Sequence, residues 1–116
     1  MNPGDTFIVP DAYGTHLNVV LAVLEDGSIV HCHFTSRTAR SETTCVIQPG
    51  EHSFIIRETV VRYDRAEICA AGMALEALER CVEKKFEPLR AELLARVKQG
   101  ALDSPQTPDK VRNVLR

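Results

Sequence analysis

The sequence predicts an α+β protein in which a small antiparallel β-barrel, or a sandwich, is followed by C-terminal helices. Two observations support this fold class. Short β-rich runs separated by Gly, Pro and Asp turns fill residues 1–64, whereas Ala, Leu, Glu, Lys and Arg dominate residues 65–116. With 116 residues and an apolar content of 44%, the chain is predicted to form a single domain, with the helical extension packed on the barrel.

The first three strands follow from patterning and turn chemistry. Thr6–Val9 is a β-rich run closed by Pro10, and a polar turn follows it. His16–Leu24 is apolar on both faces in its middle, which predicts a central strand packed on both sides. Asp26-Gly27 predicts a tight hairpin whose two central residues both have positive φ, leading into a third strand at Ser28–Ser36.

The predicted β segments after the third strand are shorter than the second and third strands. Thr38–Thr43 is polar and is predicted to be a loop, followed by a fourth strand at Thr44–Gln48 and the Pro49-Gly50 turn. Phe54–Ile56 and Thr59–Tyr63 are predicted as a last pair of β segments.

Three helices are predicted in the second half. The first is Ala74–Lys85, and the second follows Pro88 with the apolar stripe Leu89, Leu93, Leu94, Val97 and Ala101. A short third helix is expected to begin with Thr107 as N-cap and Pro108 at the first helical position. We expect these helices to pack on the barrel and on one another, with a contribution to a homodimer interface as the alternative.

Composition limits the possible functions. Residues 1–64 carry four Arg and eight acidic residues, whereas residues 65–116 carry ten Lys and Arg and eight acidic residues. Phosphate-backbone binding usually leaves a basic footprint, so any RNA contact in the first half is expected to be local. No export signal and no stretch near the roughly 20 apolar residues of a membrane span is present, which predicts a cytoplasmic protein without a membrane partner. The four cysteines form no C-x-x-C pair and are expected to be reduced and buried.

The third strand carries the polar groups of interest. Its alternation places Val30, Cys32 and Phe34 on one face and Ile29, His31, His33 and Thr35 on the other. Two histidines on one face suggest a metal site, but no carboxylate or cysteine on that face completes a ligand set. We therefore favour solvated or hydrogen-bonded histidines, and expect no metal and no cofactor.

Thr35-Ser36-Arg37, at the end of this strand, is a candidate phosphate site. Two hydroxyls and a guanidinium at the point where a rigid strand becomes a loop can hold a phosphate, because the hydroxyls donate and the arginine pairs with two oxygens. The alternative is an ordinary strand end, in which the hydroxyls satisfy the backbone and Arg37 is solvated.

The order of these pieces resembles the PemK/MazF toxin superfamily. The resemblance rests on Gly4-Asp5 before the first strand, the apolar second strand from His16, and the third strand ending in Thr35-Ser36. A less characterised PemK-like group is similar in three further segments, which are Pro49-Gly50-Glu51-His52 with Phe54-Ile55, Thr59–Tyr63, and the tail from Gly100-Ala101 to Pro108.

The resemblance implies an SH3-like barrel and a metal-independent endoribonuclease that cuts single-stranded RNA and is neutralised by an antitoxin protein. It also implies a homodimer, since toxins of this superfamily commonly dimerise. The functional Arg of the family's Arg-Pro pair would fall at His16, where this chain has His16-Leu17. The family's hydroxyl would fall at Thr35 or Ser36.

A chemically complete site needs proton transfer and positive charge on the phosphate. His16 is a candidate acid or base, Arg37 or Arg40 can supply the charge, and His52 is a second candidate for proton transfer. The competing hypothesis is a non-catalytic SH3-like module that binds a protein or nucleic-acid partner. Its motivation is the acidic first half and the missing Arg-Pro pair.

Overall fold

The computed structural model describes residues 1–11 and 14–116, so the predicted turn after Pro10 lies partly outside the described residues. The elements in chain order are β1 (Thr6–Asp11), β2 (Gly14–Val23), β3 (Ile29–Ser36), β4 (Val46–Ile47), β5 (Thr59–Val61), β6 (Glu67–Cys69), α1 (Met73–Cys81), β7 (Lys84–Phe86), α2 (Ala91–Asp103) and α3 (Asp109–Leu115). A 3₁₀ turn, Tyr63–Arg65, connects β5 to β6.

The seven strands form an antiparallel sheet, so the predicted α+β class is confirmed. The order is β4-β5-β3-β2-β1-β7, with β6 paired to β3. Within the described parts of the chain no ladder joins β4 to β7, so the sheet is open and does not close into a barrel. β1 runs through Pro10 to Asp11 and does not stop at Val9. A proline is tolerated at an open sheet edge, and on the β7 side no strand of the described chain pairs with β1 beyond Ile8.

The β2–β3 hairpin is where the sequence predicts it, but the turn type is different. The Gly27 N–H donates to the Leu24 carbonyl over 2.9 Å, and the Leu24 N–H donates to the Ser28 carbonyl over 2.8 Å. Gly27 has φ of 88°, whereas Asp26 does not have positive φ. The connection is therefore a type I turn followed by a glycine in the left-handed region, and the prediction of two positive-φ residues is wrong.

Both faces of the sheet are covered, as the doubly apolar β2 predicts. One face forms the main core with α2 and α3, whose buried side chains are Leu93, Val97, Ala101 and Val111. On the other face Phe7, Val20 and Ile29 pack under Leu75, Leu78 and Val82 of the α1 region. Because β2 contributes Val19 and Leu21 to the first face and Val20 to the second, it lies at the centre of three layers.

The second half is predicted to be helical, but it also contains two strands. β6 and β7 are strands of three residues each that complete the edges of β3 and β1. Consequently α1 ends at Cys81, before the predicted Lys85. Such short strands have no sequence period of their own and form because a sheet edge is available.

Four local predictions need correction. Phe54–Ile56 is not a strand but part of a loop, and β4 is limited to two residues. Thr107 does not cap α3, because its buried hydroxyl has no hydrogen-bond partner within the described residues. Of the four free cysteines, Cys32 and Cys45 are buried as expected, whereas Cys69 is half-buried and Cys81 is exposed.

α2 is fixed to the sheet by one close contact. The Tyr63 side chain is fully buried, and its hydroxyl donates to the Val97 carbonyl over 2.7 Å. This places the phenol against Gly100, inside α2, where a Cβ would lie 2.1 Å from the hydroxyl oxygen. The glycine is therefore required by close approach. Among the described residues, no helix has both the length and the apolar character needed to cross a bilayer.

Candidate functional site

A groove opens where β2 and β3 separate. The two strands pair from Val23–Ile29 to Asn18–His33, and beyond that point the end of β3 pairs with β5. The resulting cavity of about 400 Å³ lies between the start of β2, the end of β3 and the loop before β5. We call it the first groove, and its side chains of interest are His16, Thr35, Ser36, Phe54, Ile56 and Arg57.

Three of the predicted site residues meet in this groove. His16 is half-buried and stacks on the buried His33, with ring centroids 4.5 Å apart and an interplanar angle of 15°. Thr35 and Ser36 pair with Val60 and Thr59 of β5, which fixes the backbone that carries the two hydroxyls. The structure therefore brings His16, Thr35 and Ser36 to the lining of one concave surface.

Arg37 lines neither this groove nor the neighbouring one. Its guanidinium lies 2.5 Å from the Glu58 carboxylate, and its N–H donates to the Glu58 carbonyl over 3.0 Å. The arginine of the first groove is instead Arg57, which is exposed and has no ion-pair partner in the part of the chain that the structure describes. Arg57 is not among the predicted site residues, because the residues before it, Phe54–Ile56, are predicted as a strand. Its position directly after that apolar run was the available signal.

His52 is not brought to the groove. Its ring is buried, with Nδ1 accepting the Phe54 N–H over 3.1 Å. Nε2 therefore carries the proton and donates to the Glu87 carbonyl over 2.8 Å. With both ring nitrogens engaged, His52 holds the groove-forming loop in place.

The same loop is held by β7 and the residue that follows it. The Glu87 carboxylate accepts the Ser53 N–H over 3.0 Å, and hydrogen bonding to Ser53 lowers the pKa of Glu87 to about 2. Phe54 packs edge-on against Phe86 with ring centroids 5.1 Å apart. The wall of the first groove thus depends on β7, a strand that the residue pattern does not predict.

A second groove, also about 400 Å³, lies on the other side of Thr35 and Ser36. Its further lining includes Thr38, Arg40, Ser41, Glu42, Arg62, Asp64 and Gln106. The two hydroxyl-bearing residues therefore form a ridge shared by both grooves.

The carboxylates of the second groove are already engaged. Asp64 accepts two hydrogen bonds from Arg62, of 2.9 and 2.8 Å, which lower the pKa of its carboxyl group. Glu42 accepts the hydroxyls of Thr44 and Ser104. Arg40 lies on the exposed loop after β3, and no described residue forms an ion pair with its guanidinium.

The histidines of β3 are hydrogen-bonded or stacked and not solvated. His31 is buried, and its Nδ1–H donates to the Asn18 side-chain oxygen over 3.2 Å, while Nε2 lies 3.3 Å from a Glu67 oxygen. Burial lowers the pKa of His31, and Glu67 opposes that effect. Over residues 1–11 and 14–116, no group of three or more His, Cys, Asp and Glu side chains is arranged to hold a metal ion.

No family model matches this chain, and no curated protein matches it in sequence. A solved structure does match it, "Endoribonuclease in complex with its cognate antitoxin from Mycobacterial species", with a TM-score of 0.61 over 93% of this chain and 97% of that chain. The sequence identity is 12%, so the likeness defines the fold and not the chemistry. The chain therefore shares the fold of that endoribonuclease, in agreement with the predicted α+β class. The closed SH3-like barrel that the resemblance implies is not formed by the strands of the described chain.

Proposed function

We propose that the protein is a toxin-type, metal-independent endoribonuclease that cleaves single-stranded RNA in the first groove. The observation that supports this function best is the meeting of His16, Thr35, Ser36 and Arg57 around one open cavity. An imidazole, two hydroxyls and a guanidinium are the groups needed to move a proton and to bind a phosphate. The structural likeness to an endoribonuclease supports the same assignment.

The reaction follows from these groups. His16 accepts the proton of a ribose 2′-hydroxyl, and the 2′-oxygen forms a bond to the adjacent phosphorus. The bond from phosphorus to the 5′-oxygen breaks, and that oxygen takes a proton from a water molecule, since the groove is open. The hydroxide that remains takes the proton held by His16, which restores the base. The products are a 2′,3′-cyclic phosphate and a 5′-hydroxyl end. Arg57 stabilises the charge on the phosphate oxygens, while Thr35 and Ser36 position the phosphate.

The wider proposal includes fold, partner and place of action. The β1–β2–β3 meander with the β4–β5 pair supports an SH3-like sheet within a single domain of residues 1–116. The neighbour was solved with its cognate antitoxin, which supports an antitoxin protein as the partner here. The cytoplasm as the place of action stays a prediction from the sequence. Homodimer formation stays a prediction from the resemblance, and sedimentation at several protein concentrations tests it.

The test is cleavage of end-labelled single-stranded RNA by the purified protein in the presence of EDTA. We expect 2′,3′-cyclic phosphate ends, and we expect His16→Ala to reduce the rate about 100-fold or more. Arg57→Ala removes a charged donor to the transition state and should cost roughly 100-fold. Arg37→Ala, at a neighbouring exposed arginine that pairs with Glu58, should change the rate only a few-fold.

Two results would contradict this proposal. RNA that is bound but left intact by the wild-type protein would assign the non-catalytic binding module. Cleavage that survives both His16→Ala and Arg57→Ala, in variants with unchanged melting temperatures, would place the chemistry elsewhere on the molecule.

A further inference from the structure

The second groove has no role in the cleavage step, yet it shares the Thr35–Ser36 ridge with the first groove. Both cavities fall within the size range of ligand sites. They differ in character. The first is bordered by exposed apolar side chains, including Ile56, which is 76% exposed. The second is lined by hydroxyls, an amide and charged groups together with Val60 and Val61.

From this arrangement we infer that the second groove is a subsite for the nucleotide next to the cleaved bond, with Arg40 bound to that nucleotide's phosphate. The inference rests on the proposed function. It predicts a ligand that crosses the ridge, so that its backbone contacts Arg57, then the hydroxyls of Thr35 and Ser36, then Arg40.

The side chains along this path are those that phosphates contact. Arginine, serine and threonine supply many of the protein's hydrogen bonds to nucleic-acid backbones. Arg40 and Arg57 lie on opposite sides of the hydroxyl ridge, and neither forms an ion pair with a carboxylate in the described chain. A bound phosphate would therefore not have to displace an existing partner from either guanidinium.

The groups around Arg40 explain why one phosphate is expected and not several. Arg62 and Asp64 neutralise each other through two hydrogen bonds. Glu42 adds a negative charge that Thr44 and Ser104 hold by hydrogen bonds. Arg40 and Arg62 are balanced by Glu42 and Asp64, so the second groove has no net positive charge. We therefore expect Arg40 to contact a single phosphate.

Exposed apolar side chains in the first groove are suited to contact the bases of such a ligand. Phe54 is 38% exposed and is supported from behind by Phe86. Unpaired bases of single-stranded RNA stack on exposed aromatic rings of this kind. The first groove thus provides a surface on which a base can stack, and the second groove provides polar groups for the neighbouring phosphate.

Binding of 2′-O-methyl oligonucleotides tests the subsite, because these ligands lack the attacking hydroxyl and stay intact. The affinities of a dinucleotide and a hexanucleotide are measured by fluorescence anisotropy between 50 and 200 mM salt. Three variants are compared with the wild type: Arg40→Ala, Arg40→Lys, and Arg80→Ala as the matched control on the last turn of α1. Melting temperatures verify that each variant is folded.

We expect Arg40→Ala to weaken hexanucleotide binding about tenfold and to leave dinucleotide binding unchanged. The slope of log affinity against log salt should fall by about 0.7, the value for one phosphate contact on a single strand. Arg40→Lys should keep most of the affinity and the slope, and Arg80→Ala should match the wild type.

The inference is overturned if Arg40→Ala binds the hexanucleotide as the wild type does, or if it weakens both ligands equally. Either result leaves the proposed function intact provided that the wild type still cleaves RNA in a His16-dependent manner. Absence of both binding and cleavage in the wild type overturns the proposed function itself, which separates the two failures.

Discussion

Replacing Gly100 with alanine tests the contact between α2 and the sheet. An added Cβ would lie 2.1 Å from the Tyr63 hydroxyl oxygen and 2.8 Å from Cζ, so the buried phenol must move. Overpacking of this kind costs about 1–3 kcal/mol. Movement of the phenol also weakens its hydrogen bond to Val97, which contributes about 1 kcal/mol.

Helix propensity acts in the opposite direction. Alanine is favoured over glycine in a helix interior by about 1 kcal/mol. The structure therefore predicts a net loss of about 1–3 kcal/mol in the free energy of unfolding, although propensity alone predicts a gain. Ala95→Gly, at an exposed position of the same helix, measures the propensity contribution separately.

Urea denaturation of the wild type, Gly100→Ala, Tyr63→Phe and the double variant separates these effects. Because Tyr63→Phe removes the nearest atom that the new Cβ meets, the double variant should be about 1 kcal/mol more stable than the sum of the single losses predicts. A Gly100→Ala protein that is as stable as the wild type would refute this account. So would additivity within about 0.5 kcal/mol.

Three further outcomes are expected. Burial lowers the pKa of His31, so on acidification the unfolded chain binds the proton before the folded protein does. The free energy of unfolding should therefore fall as the pH drops below about 6.5. The difference between the urea midpoints at pH 7.5 and pH 5.5 should be smaller for His31→Gln than for the wild type. Glu87→Gln should speed amide exchange at Ser53 several-fold, and in the wild type that protection should persist until the pH approaches the Glu87 pKa of about 2. A thiol reagent should modify exposed Cys81 in the native protein and buried Cys32 only after unfolding, because burial raises the pKa of Cys32.

Much of the sheet, and the grouping of some residues of the candidate site, can be predicted from the sequence. β2 was predicted as central because its apolar run left no polar face, and the core bears this out. His16 and Thr35 meet because an antiparallel hairpin places the start of one strand beside the end of the next, which the Asp26-Gly27 turn already implied.

What escaped prediction depends on contacts between distant parts of the chain. β6 and β7 form only because β3 and β1 offer free edges. Arg57 replaces Arg37 at the groove because Glu58 holds Arg37, a choice that spacing alone does not reveal. The buried state of His52 likewise depends on Glu87, which lies 35 positions later in the sequence.

The pairing of β7 with β1 has a consequence for synthesis in the cell. The first strand to leave the ribosome acquires its outer neighbour only after residue 86 has been made, and the groove wall is fixed only with Glu87. Until then a nascent chain exposes an unpaired backbone edge of the kind that promotes aggregation. A fragment cut at residue 64 would keep that exposed edge permanently, so we expect it to be recovered in inclusion bodies.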